Sequence, residues 1–457
     1  MRIRRVLIAN RGEIAVRIIR TCRRLGIETV LAASAADRGS LPARVADRTV
    51  CIGPAKAADS YLRVDTIVQA ALGVGAQAVH PGYGFLAERP ALARLCEAHG
   101  IVFIGPTAAQ LEAVGDKLQA RAAAEAVQVP VVPGAAVESL AQAAELARRI
   151  GMPLLVKAVG GGGGRGMKLV HALDALPAAL ELAAAEAQAA FGDARLYLER
   201  YVARARHVEV QVLGDGTGRV MQLGERDCSV QRRYQKLIEE APAPLLAQRL
   251  REALHEAAVR FASRLAYRGA GTVEFLVDVE RDAFYFLEMN ARIQVEHPVT
   301  EVVTGVDLVA EQFAVAQGEG LRLAPRAAEA RGCAMECRIN AEDPGRDFQP
   351  SPGTVTEATW PAGADIRVDT HIESGASVPP FYDSLMAKII VGGPDRATVL
   401  RAMQAALAGA HVAGVATNLG LHAAILGDAD FARGGVDTGF LARFLERAAC
   451  PREHRDG

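Results

Sequence analysis

Lysine is nearly absent from this sequence. The 457-residue chain carries 52 basic Lys and Arg residues, of which six are lysines: Lys56, Lys117, Lys157, Lys168, Lys236 and Lys388. A chain that fills its solvated positions with arginine keeps lysine where a compact point charge is needed and a planar fork does not fit. Lys117, Lys157 and Lys236 fall inside suggestive local patterns and read as ligand contacts. Lys56, between alanines, reads as a surface residue, and Lys168 and Lys388 stay undecided. Other scarcities exclude whole classes. The net charge of −1 leaves no basic field for nucleic acid or an anionic membrane. No apolar run is long enough to span a bilayer. "MRIRRVLIAN" is too short in its apolar part for a signal peptide. The seven cysteines are odd in number and scattered, with no C-x-x-C pair. That usage predicts a reduced, cytoplasmic protein without a structural zinc site.

The order of elements is that of an α/β chain. "RVLIAN" reads as a strand. "GEIAVRIIRTCRRLG" reads as a helix with Ile14, Ile18, Cys22 and Leu25 on one face, ending at Gly26. "ETVLAAS", "AQAVHPGYGF" and "IVFIG" supply further strands, so the first part is a doubly wound unit. Its first turn, "NRGE", is no glycine fingerprint. "GDKLQARAAAEAVQVPVVPG" carries a helix into a Pro/Gly-punctuated hinge. "RHVEVQVLGDGTGRVMQLGERDCSV" is a hairpin around Asp215–Gly218, and a long helix follows "APAPLL". The last part mixes strands with an amphipathic helix near "ATVLRAMQAALAG".

Five consecutive glycines stand out in "LLVKAVGGGGGRGMKLV". A dinucleotide fingerprint there would need a helix after the glycines, but "MKLV" reads as a strand. A Walker loop would need Gly-Lys-Ser/Thr. What remains is a hairpin with a long glycine tip whose backbone N–H groups close over phosphates. The alternative is a bare surface loop, which the flanking charges of Lys157 and Arg165 argue against. Asp174 reads as the N-cap of the Ala-rich helix that follows.

A second hairpin is "GTVEFLVDVERDAFYFLEMN". Alternation puts Glu274, Leu276 and Asp278 on one face, and Phe284, Phe286, Glu288 and Asn290 on the matching one. Symmetry about a turn near Arg281 sets Glu274 opposite Glu288. Like charges across a ladder are destabilising unless a cation lies between them. Two carboxylates and an amide oxygen suit Mg²⁺ bridging phosphates. A solvated charged face is the alternative, opposed by the apolar neighbours. Continued alternation through Arg292, Gln294 and Glu296 would put a cation and a base on the same face. Glu296 could equally pair with Arg292. His297, before Pro298, reads as structural.

These features together resemble the ATP-grasp fold. The motifs "IANRGEIAVRIIR", "HPGYGFLAE", "VKAVGGGGGRGM", "ERDCSVQRRYQK", "EEAPAP", "EMNARIQVEHPVTE" and "ECRINAEDP" are similar to the biotin carboxylase subunit of acetyl-CoA carboxylase and its relatives. The resemblance implies an α/β and α+β chain with four parts. They are an N-terminal doubly wound (Rossmann-like) domain, 1–114, and an ATP-grasp domain, 115–334, with a mobile glycine-hairpin lid, 131–203. A C-terminal mixed α+β domain, 335–446, and a tail, 447–457, follow. It also implies the site. ATP would be bound by Lys117, Lys157, Gly163, Gly164, Glu199, Arg200, Tyr201, Val202, His207, Gln231, Tyr234, Glu274 and Glu288. Mg²⁺ or Mn²⁺ would sit on Glu274, Glu288 and Asn290. Bicarbonate would be held by Lys236, Arg292, Gln294, Val295 and Arg338, with Glu296 as base. Biotin would lie against Tyr83, Gly84 and Arg338.

The resemblance further implies a homodimer working with a biotin carboxyl carrier protein and carboxyltransferase subunits. Biotin would thus be a carrier-bound substrate, not attached to this chain. The only Met-Lys pair, Met167-Lys168, lacks the carrier's A-M-K-M context. The ending "FLERAACPREHRDG" reads as a helix fading into a charged tail, so no further domain of typical size is expected. Two positions depart from the family pattern. Tyr234 stands where His is more frequent, and Ala291 where Thr is frequent. Tyrosine can hydrogen-bond a ribose hydroxyl but carries no positive charge. Two rival readings are another ATP-grasp ligase, acting on a different carboxylate or forming carbamoyl phosphate, and a non-catalytic nucleotide-binding subunit.

Overall fold

The computed structural model describes residues 2–159, 167–323 and 329–449. Five short apolar segments form a parallel sheet: β1 (Arg5–Ile8), β2 (Glu28–Ala33), β3 (Arg48–Cys51), β4 (Ala78–His80) and β5 (Val102–Phe103). Their order is β3-β2-β1-β4-β5. Strands buried on both faces must be apolar throughout. Thus Val6 and Ile8 of β1 join one core with Ile14 and Ile18, while Leu7 joins the core on the other face. The helix after β1, Gly12–Leu25, stops at Gly26, whose φ of 68° is left-handed. Ile27 N–H then bonds back to the Cys22 carbonyl at 2.9 Å, closing the helix end. Ile14, Ile18 and Cys22 are buried as expected, but Leu25, in the last turn, is exposed.

β1 and β4 are neighbours, and the strand order reverses between them, so their C-terminal ends open a crevice. The turn after β4, "HPGYGF", lines it. Gly82 there has φ 61°, and a Cβ would lie 3.0 Å from Asn10 Nδ2. Asn10 in turn donates to the Pro81 and Tyr83 carbonyls, each at 2.7 Å. The two turns are therefore locked together, with Tyr83 and Gly84 at the crevice.

A small antiparallel sheet follows, ordered β6 (Gly134–Val137), β9 (Leu196–Arg200), β7 (Leu154–Ala158) and β8 (Lys168–Val170). Helices Leu140–Ile150 and Leu176–Phe191 cover it, around a separate core that includes Leu146, Val156, Val170 and Leu198. β7 and β8 pair as the expected hairpin. Its glycine tip, with Gly163 and Gly164, lies outside the described residues. Asp174 does not cap the helix. It lies in the 3₁₀ turn Leu173–Ala175, and the helix starts at Leu176 with a proline in its first turn, where the fixed φ is already helical.

The largest element is an eight-stranded antiparallel sheet. It runs β14 (Ala283–Asn290), β13 (Arg268–Asp278), β10 (Ala205–Asp215), β11 (Val220–Arg232), β12 (Gln235–Ala241), β15 (Cys333–Asn340), β17 (Leu385–Gly393) and β16 (Ile366–Thr370). Helix Gln248–Arg264 buries Leu250, Leu254 and Phe261 against one end. Helix Arg396–Ala408 buries Val399 and Met403 against the other. The sheet is continuous across β12 and β15, and Lys236 and Arg338 from these strands both reach Glu296.

Candidate active site

The β13–β14 hairpin sets Glu274 directly across from Glu288, as turn symmetry predicts. The register then shifts. Phe275 pairs with Phe286, so Leu287 is an extra residue, a β-bulge. The bulge reverses the faces beyond it. Phe284 and Phe286 pack with Phe275 in the core, and are not on the carboxylate face as alternation alone implied. Asn290 Nδ2 donates to Glu274 Oε1 at 2.8 Å.

β14 ends at Asn290, so Arg292, Gln294 and Glu296 do not continue a strand; they lie in the loop before helix His297–Thr304. The loop nonetheless returns them to the site. Arg292 donates to Asn290 Oδ1 at 3.0 Å and Gln294 Oε1 at 2.8 Å, and Gln294 Nε2 to Glu274 Oε1 at 3.3 Å. The carboxylate facing Arg292 is Glu88, at 3.0 Å, and not Glu296. Glu88 also accepts from the Ala291 N–H at 3.1 Å. Ala291 itself is buried in the core, away from the carboxylates.

Lys236 is the hub. Its ammonium reaches Glu209 at 2.6 Å, Glu274 at 2.9 Å and Glu296 at 2.6 Å. Arg338, from β15, donates to Glu239 at 2.6 Å and to Glu296 at 2.9 Å. Burial alone would raise the Glu296 carboxyl, but Lys236 and then Arg338 outweigh it and hold Glu296 well below the usual carboxylate range. Glu274 is likewise held ionised against its burial by Lys236 and His207, whose Nε2 lies 3.0 Å away. Glu239 behaves oppositely: burial, with Glu296 nearby, pushes it up to about 7 despite Arg338. Below these groups, fully buried Arg226 bonds Glu209, Gln211, Thr272 and Thr300 and so fixes the floor.

In the small sheet, Lys157 pairs with Glu199. Burial lowers the Lys117 pKa, partly offset by Glu288, while Lys157 lowers it further. Arg200 donates to the Tyr285 hydroxyl at 2.8 Å, beside half-buried Tyr201 and buried Val202. Gln231 is buried opposite Lys236. Tyr234 is 54% exposed at the β11–β12 turn. Arg233 and Tyr234 both have positive φ, 47° and 69°, a turn that favours Asn-Gly, so this corner is strained. Lys168 pairs with Glu186 at 2.8 Å.

The donor set fits a hard divalent cation at Glu274 and Glu288. Burial and the Glu274 charge both raise the Glu288 carboxyl, and Glu288 has no hydrogen-bond partner among the described residues. The neighbouring trio Glu209, Cys228 and Glu296 is compact enough for an ion. It is already filled by Lys236 and Arg226, and burial followed by the Glu209 charge keeps the Cys228 thiol protonated.

Sequence reasoning singled out neither Glu209, Glu239, Glu88, Arg226 nor Glu13. For Glu209 the signal was present: a carboxylate in the otherwise buried alternation of "RHVEVQV".

The small four-stranded sheet with its own core and the eight-stranded antiparallel sheet that carries the carboxylate hairpin define an ATP-grasp ligase. Family models match in three blocks: biotin carboxylase N-terminal domain at residues 2–111, carbamoyl-phosphate synthase L chain ATP-binding domain at 116–324, and biotin carboxylase C-terminal domain at 336–443. The chain belongs to the biotin carboxylase family. It is 49% identical to the biotin carboxylase of Nostoc sp., over 96% of this chain and 99% of the relative. It is 48% identical to a pyruvate carboxylase subunit of Methanothermobacter thermautotrophicus, over 96% of this chain and 90% of that one. Among solved structures, it is similar to the biotin carboxylase domain dimer of Hydrogenobacter thermophilus 2-oxoglutarate carboxylase in complex with MgADP, ADP and bicarbonate. That match has a TM-score of 0.94 and 44% identity, covering 98% of both chains. No helix among the described residues is long and apolar enough to cross a membrane.

Proposed function

We propose that this chain carboxylates biotin on a separate carrier protein, using ATP and bicarbonate, as the first half-reaction of an acyl-CoA carboxylase with acetyl-CoA as acceptor. The observation that carries the reading is Glu296 held between Lys236 and Arg338 beside the Glu274/Glu288 pair. Lys117, Lys157, His207, Gln231, Tyr234 and residues 199–202 hold the nucleotide, together with Gly163 and Gly164. Glu274, Glu288 and Asn290 would hold Mg²⁺ or Mn²⁺, which neutralises phosphate charge when bound.

Bicarbonate binds between Lys236, Arg292, Gln294, Arg338 and the Val295 N–H. As the anion takes over these cations, Glu296 loses their stabilisation, becomes more basic and accepts the bicarbonate proton. The bicarbonate oxygen attacks the γ-phosphorus and the bond to ADP breaks, giving carboxyphosphate. Carboxyphosphate releases CO₂ and leaves phosphate, which takes the N1 proton of biotin lying against Tyr83 and Gly84. Arg338 stabilises the enolate oxygen, and N1 attacks CO₂.

The crevice between the β1 and β4 turns, open at Gly84, supports a substrate presented from outside. Lys168, of the single Met-Lys pair, is engaged with Glu186, which supports biotin arriving on another polypeptide. The reading includes a homodimer, a cytoplasmic location, a role in fatty acid biosynthesis and carboxyltransferase subunits. Pyruvate as acceptor is the second reading, favoured by the 48% identity to a pyruvate carboxylase component. The test is ATP cleavage that requires both bicarbonate and free biotin. Cleavage indifferent to either would overturn the proposal. Reconstitution with carrier and carboxyltransferase then decides between acetyl-CoA and pyruvate.

A further inference from the structure

Lys388 sits inside the apolar run "LMAKIIVGG" of β17 with 0% of its surface exposed. A buried ammonium must be paired and must spend its donors on acceptors. Here it finds both. Glu13 Oε1 lies 3.0 Å away, and the Val295 carbonyl accepts from Nζ at 2.7 Å. Glu13 comes from the first turn of the helix after β1 and also accepts from the Tyr83 hydroxyl. Asp369 stands across the ladder from Lys388 but is engaged by Arg367 at 2.6 Å. Three segments distant in sequence thus meet behind the loop that carries Glu296.

The loop's backbone is pinned at two successive carbonyls. Gln294 O can only accept, so the His297 contact at 2.7 Å requires the ring proton on Nδ1. Burial, then Lys388, keeps His297 neutral, which leaves that one tautomer. Because a trans peptide is planar, holding Gln294 O toward His297 turns the Val295 N–H the other way. Lys388 holds the next carbonyl, Val295 O, and so fixes the peptide that leads into Glu296. Among the described residues no hydrogen bond uses the Val295 N–H.

We propose that Lys388, anchored by Glu13, is a positioning residue for bicarbonate. By fixing the Val295–Glu296 peptide it sets the Glu296 carboxylate relative to the Val295 N–H of the preceding peptide, so that both face the anion, and it ties this loop to the Tyr83 wall of the biotin crevice. The inference rests on the reading of the site given above.

Replacing Lys388→Met keeps the length and apolar stem but removes the charge and the donor. The bicarbonate KM should rise about tenfold, the effect of one lost charge-assisted hydrogen bond. The MgATP KM and the rise in melting temperature on adding MgATP should stay as in wild type. An unchanged bicarbonate KM, or both KM values rising together with a lowered Tm, means that Lys388 only fills the core. If Lys388→Met does not fold, Glu13→Gln decides: a raised bicarbonate KM supports the anchor, and an unchanged one overturns it. Wild-type ATP cleavage that ignores bicarbonate would instead sink the reading of the site itself. Wild-type dependence on bicarbonate, with both variants keeping its KM, sinks the positioning role alone.

Discussion

Glu274 and Glu288 face each other as a direct cross-strand pair in the β13–β14 ladder. Burial and the Glu274 charge both raise the Glu288 carboxyl, so the pair stores repulsion that a divalent cation relieves. Glu288→Gln should therefore separate stability from function. ATP cleavage should fall by about 10²-fold or more, while the nucleotide-free protein melts no lower and gains up to about 1 kcal/mol from the lost repulsion. Parallel melting curves and cleavage assays check this. Ordinary activity in Glu288→Gln at normal Mg²⁺ would remove the metal assignment.

Glu296 and Arg338 touch each other yet have different jobs in the proposed sequence. Lys236 keeps Glu209 and Glu274 when Glu296 is lost, so Glu296→Ala should still bind ATP. Its bicarbonate-dependent cleavage should drop about 10²–10⁴-fold, the range for a lost general base. Arg338→Ala should instead lose biotin carboxylation more severely than ATP cleavage. Equal losses of both activities in both variants would refute this division of labour.

What could be read in advance follows from how local each relationship is. The Glu274/Glu288 register is legible because one turn relates the two strands. The Leu287 bulge is not, because a one-residue slip leaves no mark in composition. Arg292, Gln294 and Glu296 reach the site as expected, but through a loop folded back by Arg292 hydrogen bonds and not through strand alternation. Glu88, Glu239 and Glu13 escape notice because their partners, Arg292, Arg338 and Lys388, lie far away in sequence. Lysine scarcity did point to Lys117, Lys157 and Lys236. It left Lys388 undecided, because its place in an apolar strand is legible only as a buried charge without a visible partner.

The small four-stranded sheet, proposed as a lid, should tighten on nucleotide. It has its own core, and Lys157 is engaged with Glu199. A nucleotide phosphate would draw Lys157 away from that carboxylate and load the β7–β8 hairpin. Amide exchange in β7 and β8 should slow by about an order of magnitude with MgATP, as local opening becomes less populated. The same should hold across residues 160–166. Identical exchange with and without MgATP would rule the closure out.

Glu225 predicts the acid limb of stability. On β11 it accepts from Arg251 at 2.8 Å and from the Ala243 N–H at 3.1 Å, and it lies 2.7 Å from His255 Nε2. Burial would raise its carboxyl, but the bonds to His255 and Arg251 outweigh that and bring it from 4.5 to about 2. The unfolded chain therefore takes up this proton first as the pH falls. The contribution is fully present above the unfolded value and is lost between 4.5 and about 2. At 1.36 kcal/mol per unit this amounts to about 3 kcal/mol. Glu225→Gln removes the titration. Urea unfolding should show a stability gap between wild type and variant that is constant near neutral pH and narrows steadily below about pH 5. A gap of constant size through the acid range would show that Glu225 takes up its proton at the same pH in the folded and unfolded chain and would overturn the assignment.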